Sequence, residues 1–155
     1  MKAKKLVAIV AAIAVSFSLA GCSLSREVAS LDPYAPSDGV QIDKEQLKVR
    51  NVMFVVGEDG NAVLIGSFVN QAEEAISGTL ETLDSNGAVV ITEFSVPAES
   101  KFDLGYNGTE GKRLFLTEMP GSMHPVFVRI SGADPVEMQT PILDGSLEEY
   151  RPFID

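Results

Sequence analysis

The sequence predicts an all-β fold, an antiparallel β-sandwich of seven or eight short strands, within residues 46–155. Apolar side chains recur with a period of two from Leu47 onward, which is the spacing of a strand with one buried face. Turn-forming Gly, Pro, Asn and Asp residues separate these runs at intervals of roughly 8 to 12 residues, as in sandwich proteins. Only residues 147–150 suggest even a single helical turn.

The first half of this region carries the clearest strand pattern. Leu47 and Val49 alternate with basic residues, and the phase then slips so that Val52, Phe54 and Val56 share a face, which predicts a β-bulge near Asn51. Residues 57–61 and 84–87 are rich in Gly, Asn and Asp, and they predict hairpin turns. The nearly continuous apolar run over residues 62–70 predicts a central strand, and residues 76–83 predict a further strand with weaker alternation.

The second half continues the alternation. Four side chains share one face of the next strand, which Pro97 ends: Val90, Thr92, Phe94 and Val96. Shorter alternating stretches over residues 102–106, 114–116, 126–130 and 136–140 complete the predicted strands.

The N-terminus has the organisation of an export signal. Residues 1–5 are basic, residues 6–19 are apolar and too few for a comfortable bilayer span of about 20 residues, and Leu19-Ala20-Gly21-Cys22 follows at once. This order resembles the lipobox of bacterial lipoproteins, which implies cleavage before Cys22 and diacylglycerol on its thiol. The alternative is an ordinary secreted protein in which Cys22 is a free thiol.

Three regions therefore follow along the chain. Residues 1–21 are predicted to be a lipoprotein signal peptide, residues 22–45 a lipidated tether rich in Pro, Asp and Gly, and residues 46–155 the β-sandwich with a C-terminal tail. The tether could instead lie along the domain as an ordered strap. The expected location is the extracytoplasmic face of the cell membrane, with two acyl chains making the attachment durable.

The charge of the chain excludes one class of partner. The 12 Lys+Arg and 22 Asp+Glu residues give a formal charge of −10, and removal of three lysines with the signal peptide leaves −13. Such a surface repels polyanions, so nucleic acid is not an expected partner, and electrostatic docking on anionic lipid is disfavoured. Cys22 is the only cysteine, so no intramolecular disulfide is possible.

One stretch carries residues that suit a soft metal ion. His124 is the only histidine, and Met119 and Met123 precede it within six residues of chain. Thioether and imidazole groups suit Cu(I), so copper is the one cofactor that the sequence suggests, although the methionines could instead cap the core and His124 could face solvent. Nucleophile–base arrangements and phosphate-binding loops have no clear counterpart, so we expect no cofactor and no enzymatic activity.

Several short motifs resemble a family. They are Tyr34-Ala35-Pro36-Ser37-Asp38-Gly39-Val40, Val49-Arg50-Asn51-Val52, Asn70, Thr140-Pro141-Ile142-Leu143-Asp144-Gly145 and Glu149-Tyr150. Their order is similar to that in actinobacterial cell-surface lipoproteins of LpqE type, which are distantly similar to the PCuAC copper chaperones. The resemblance implies an immunoglobulin-like or cupredoxin-like sandwich outside the cytoplasm. The chaperones' His-x-Met element corresponds to residues 97–104, which contain neither residue, so the ligand set is not carried over.

The function that these observations favour is a non-enzymatic binding or accessory module. Its partner is expected to be an envelope or membrane protein complex, such as a respiratory assembly. Candidate contact residues are Tyr34, Tyr150, Arg151 and Phe153, because aromatic and arginine side chains dominate interface energetics. The alternative for these residues is packing of terminal segments onto the domain. The alternative function is copper binding or chaperoning through Met119, Met123 and His124.

Overall fold

A computed structural model describes residues 36–154, and these residues form a nine-stranded fold. The strands are β1 (Val40–Lys44), β2 (Leu47–Val56), β3 (Asn61–Asn70), β4 (Ile76–Leu83), β5 (Val89–Val96), β6 (Lys101–Leu104), β7 (Lys112–Phe115), β8 (Met123–Ile130) and β9 (Val136–Asp144). A short 3-10 helix, Arg151–Phe153, follows them. The all-β prediction is confirmed.

Strand β1 lies inside the stretch that the sequence assigned to the tether. It pairs antiparallel with β2, with Ile42 opposite Val49 and Lys44 opposite Leu47. The folded part of the chain therefore begins before the predicted boundary at residue 46, and this strand accounts for the ninth member of the sheet. Alternation over only five residues beside a Pro- and Asp-rich stretch is too short a signal to separate a strand from a linker.

The strands form one mixed sheet, nearly closed into a barrel-like shape, instead of the clear two-sheet sandwich that was predicted. Their order is β5-β4-β8-β9-β2-β3-β6, with β1 added to β2 and β7 added to β3. All ladders are antiparallel except that between β2 and β9, which runs parallel over three residue pairs. Alternation identifies buried faces but not which strands pair, so this parallel link could not be predicted from periodicity.

The predicted bulge in β2 is confirmed. The register with β3 shifts between Arg50 and Met53, and Asn51 has a positive φ of 52°, a conformation that asparagine tolerates better than most residues. The Asn51 side chain accepts a hydrogen bond from the Gly39 amide at 3.0 Å. The extra residue keeps the apolar side chains on both sides of the bulge in one core: Leu47, Val49, Val52, Phe54 and Val56.

The opposite face of β2 and β3 is also buried. Met53, Val55, Val63 and Ile65 form a second apolar cluster with Tyr150, and the C-terminal segment, residues 145–154, covers it. This second burial explains why residues 62–65 are apolar without alternation, as the sequence predicted for a central strand.

Asn70 connects the end of β3 to the loop after β5. Its side-chain amide nitrogen donates to the carbonyl oxygens of Glu74, Val96 and Pro97 at 2.7–3.1 Å. Its side-chain oxygen accepts from the Ala72 amide at 2.8 Å. Because Asn70 is 1% exposed and Val96 is 0% exposed, the bond between them is buried, and its loss would leave buried polar groups unpaired.

We expect Asn70→Asp to destabilise the fold by about 3 kcal/mol or more, because a carboxylate would face three carbonyl oxygens without donors. The free energy of unfolding in urea would measure this loss. Gln71→Glu is the matched control, since it places the same group on the exposed neighbouring residue, and its effect should stay within about 0.5 kcal/mol. Equal losses in the two variants would contradict the assigned role.

Candidate functional site

Five large apolar side chains lie exposed on the outer face of the β4, β5 and β8 part of the sheet. They are Leu83 (52% exposed), Val89 (64%), Ile91 (49%), Met123 (49%) and Phe127 (37%), and together they are called the outer patch. Single exposed apolar residues are common on protein surfaces, whereas contiguous patches mark contact surfaces.

The strand register brings these side chains together. Leu83 pairs directly with Val89, and Ile91 pairs with Glu81, which pairs in turn with Phe127 on β8. Because alternate residues of a strand share a face, Met123 lies on the same side of β8 as Phe127. The alternation therefore sends Val90 and Phe94 inward and leaves Val89 and Ile91 outside.

Charged residues lie within and beside the outer patch, with Glu81 between Ile91 and Phe127. Arg129 on β8 forms an ion pair with Glu81 at 3.1 Å, and this contact lowers the pKa of the Glu81 carboxyl. Glu93 is exposed on the outer face of β5 and has no ion pair among the described residues. The border of the patch next to β5 therefore carries an uncompensated negative charge.

His124 lies on the inner face of β8 and is buried. Its Nε2 is 2.8 Å from the carbonyl oxygen of Leu83, so Nε2 must carry a hydrogen and donate. Its Nδ1 is 2.7 Å from Glu118 Oε1, and the ring edge packs against Phe54 at 5.4 Å between centroids. Both ring nitrogens are occupied, and the expectation that His124 faces solvent is not what the structure shows.

The three residues of the proposed copper site are not brought to one point. Met123 and His124 are adjacent in β8, where successive side chains point to opposite faces, and they differ accordingly in burial. Met119 is 78% exposed in the loop before β8. The described residues also contain no group of three or more His, Cys, Asp or Glu side chains placed to hold a metal ion.

Glu118 joins His124 to the turn between β4 and β5. Its second carboxylate oxygen accepts from the Ser85 hydroxyl at 3.1 Å, and the Thr117 amide donates to the same Ser85 oxygen at 2.8 Å. Partial burial acts to raise the pKa of Glu118, but hydrogen bonds from its own amide, His124 and Ser85 outweigh it, so the pKa is lowered. The ionised carboxylate thus braces the loop before β8 against this turn.

We expect His124→Ala to destabilise the fold by about 2–4 kcal/mol, because it removes two hydrogen bonds and leaves a cavity beside Phe54. Urea unfolding would measure the change, with the exposed neighbour Met123→Ala as control at about 1 kcal/mol or less. Competition with a Cu(I) chelator should give the same Cu(I) affinity for wild type and His124→Ala. A loss of about tenfold or more in the variant would contradict a purely structural role.

The four residues proposed for partner contact differ in how far they are buried. Tyr150 is 7% exposed in the second cluster, and Phe153 is half-buried against Tyr106 with ring centroids 5.5 Å apart. Arg151 is exposed. Tyr34 lies outside the described residues, as does the lipidation candidate Cys22. Two of the four candidates therefore pack the C-terminal segment onto the domain.

A hydrogen bond holds the start of the described chain to this segment. The Tyr150 hydroxyl donates to Asp38 Oδ2 at 2.6 Å. Burial raises the pKa of Tyr150 above its ordinary value of 10.0, and the Asp38 carboxylate raises it further. The tyrosine therefore stays neutral and keeps donating through the whole neutral range.

We expect Tyr150→Phe to cost about 1–2 kcal/mol of unfolding free energy at neutral pH, since only the hydroxyl is removed. The raised folded-state pKa of Tyr150 stabilises the fold below the unfolded value of 10.0, and this contribution is lost as pH rises beyond it. Urea unfolding from about pH 8 to about pH 11 should therefore show a steeper alkaline decline in wild type than in Tyr150→Phe. Identical slopes would contradict the contact.

A cleft of about 740 Å³ lies beside the turn between β2 and β3, with Glu58, Asp59 and Asp144 among its lining residues. Hydrogen bonds from the backbone and side chain of Asn61 lower the pKa of Asp59. Hydrogen bonds from the side chain and backbone of Ser146 likewise lower the pKa of Asp144. Both carboxylates thus accept hydrogen bonds within their own turns, and neither has the raised pKa that a general acid needs.

The sequence showed part of this arrangement and missed the rest. The inward face of β5 was predicted through Val90 and Phe94, so the outward position of Val89 and Ile91 follows from the same alternation. Nothing local indicated that β4 and β8 would lie beside each other and add Leu83 and Phe127 to that face. Among residues 36–154, no helix has the length and apolar character that crossing a membrane requires.

The chain matches no family model, no curated protein and no solved structure in the comparisons made with them.

Proposed function

We propose that this chain is a membrane-anchored extracytoplasmic lipoprotein that acts as a non-enzymatic binding or accessory module for an envelope or membrane protein complex. The anchor rests on the basic start, the apolar run and Leu19-Ala20-Gly21-Cys22. The docking role rests on one observation, the outer patch. Its residues lie on the outer face of three neighbouring strands, where a partner surface can cover several of them at once.

The composition of the outer patch suits a protein contact. Aromatic and methionine side chains are enriched in the cores of interfaces, and Phe127 and Met123 supply both kinds. Leu83, Val89 and Ile91 add aliphatic area with little conformational freedom to lose in the two β-branched residues. Covering these side chains removes apolar surface from water, which is the main favourable term in association.

The tether sets how far this surface can stand from the membrane. The contact between Asp38 and Tyr150 holds residue 38 against the domain, so the chain of 16 residue-to-residue steps from Cys22 to Asp38 supplies the reach of the anchor. Such a length spans at most about 55 Å. The partner is therefore a protein of the same membrane or one close to its surface, and a respiratory assembly is one candidate.

The resemblance to lipoproteins of LpqE type belongs to this proposal. Residues of its motifs contact one another, since Gly39 donates to Asn51 and Tyr150 donates to Asp38. The immunoglobulin-like or cupredoxin-like sandwich is likewise a proposal. It is favoured because the parallel ladder between β2 and β9, which joins the two parts of the strand order, is only three residue pairs long. Copper handling is the weaker alternative, because His124 has both ring nitrogens occupied.

The test is affinity purification of the full-length, lipidated chain from mildly solubilised native membranes. We expect a stoichiometric protein partner with wild type and its loss with the double variant Leu83→Thr, Phe127→Thr, since threonine keeps the strand propensity and removes the apolar contact. Leu147→Thr is the matched control, because Leu147 is 51% exposed and lies outside the patch. Recovery of the lipoprotein alone, or equal recovery with all variants, would contradict the proposal.

A further inference from the structure

Strand β5 forms one end of the strand order, so one of its edges has no neighbouring strand over much of its length within the described residues. Near its end the strand comes close to β6, and inside the core Phe94 of β5 stacks on Phe68 of β3 with ring centroids 4.5 Å apart, while Phe68 packs against Phe102 of β6. The other part, residues 89–93, stays open. Its free backbone groups can pair with another extended chain.

The outer side chains of this open edge form an ordered pattern. Val89 and Ile91 are apolar and exposed, and Glu93 follows at the next outward position. Arg129, a cation on that face of β8, forms an ion pair with Glu81. A strand laid along β5 would therefore meet two apolar side chains and then an uncompensated carboxylate.

This pattern distinguishes between possible occupants. Directly opposed like charges destabilise a strand pair, and a cation opposite Glu93 stabilises it. A second copy of this chain would bring another Glu93 to the same face, together with a domain that is equally acidic overall. An anionic lipid surface is repelled for the same reason. Charge complementarity selects a basic protein segment.

We propose that the open edge of β5 receives an extended segment of the partner protein by strand addition, with apolar residues beside Val89 and Ile91 and a Lys or Arg beside Glu93. This deepens the proposed docking function and rests on it. Backbone hydrogen bonds supply part of the affinity, and the alternate side chains supply the selectivity. The outer patch continues the contact from β5 onto β4 and β8.

The test uses the full-length, lipidated chain in phosphatidylcholine nanodiscs and synthetic capped peptides. Two peptides carry the sequence Lys-Thr-Val-Thr-Val or its reverse, which covers both strand directions, and two controls carry Glu in place of Lys. Fluorescence anisotropy measures the dissociation constants, and amide hydrogen exchange locates the site. We expect one lysine peptide to bind at least about tenfold more tightly than its glutamate counterpart, with protection of the amides of residues 89–93.

The charge variant Glu93→Lys should reverse this preference, while Glu110→Lys, at an exposed residue away from β5, should leave it unchanged. Equal effects of the two variants would show non-specific attraction and overturn the inference. Absence of binding, protection elsewhere, or a dimer whose β5 amides are protected without peptide would overturn it too. The two proposals can fail separately. The docking proposal is tested by purification of a membrane partner and by its loss in the Leu83 and Phe127 variant, and that experiment uses no peptide.

Discussion

The part of β2 after the bulge, residues 52–56, is buried on both faces, and the bulge at Asn51 keeps its core face in phase with the first part of the strand. A strand with strict alternation would send Leu47 and Val49 to the face opposite Val52 and Phe54. The extra residue restores the phase, so that one face fills the main core while Met53 and Val55 supply the second cluster. The same bulge positions the Asn51 side chain to hold Gly39 and Tyr106. Core formation and the attachment of Gly39 and of the loop after β6 therefore depend on one irregularity of the backbone.

Buried polar side chains hold together elements that are distant in sequence, a role that disulfides have in many other proteins. Asn70 joins β3 to the loop after β5, and His124 with Glu118 joins β8 to the turn between β4 and β5. Each spans elements that are distant in sequence and has its hydrogen bonds satisfied, which is the condition under which a buried polar group favours a single structure. His124, the only histidine of the chain, has both ring nitrogens engaged in this connection.

Local pattern sufficed for β2 to β9, the bulge and the hairpin turns, because each depends on residues close in sequence, whereas β1 was assigned to the tether. The partners of the strands depend on long-range packing, so the parallel β2–β9 ladder and the near-closure of the sheet were beyond such reasoning. The candidate functional residues show the same difference between local and long-range information. Tyr150 looked like a contact residue because it is aromatic and near the end of the chain, whereas its surroundings make it a packing residue. The outer patch arises only when β4, β5 and β8 are placed side by side.

The contact between Asp38 and Tyr150 also has a mechanical consequence. A pull on the chain before residue 36 reaches the domain through Asp38 and then through the short β1–β2 ladder. The hydrogen bond to Tyr150 and the Gly39–Asn51 bond take the load first, beside the C-terminal segment and away from β5. Under the proposed anchoring, such a pull would act first on the corner of the molecule where β1 joins β2, and β4, β5 and β8 lie at the other end of the strand order.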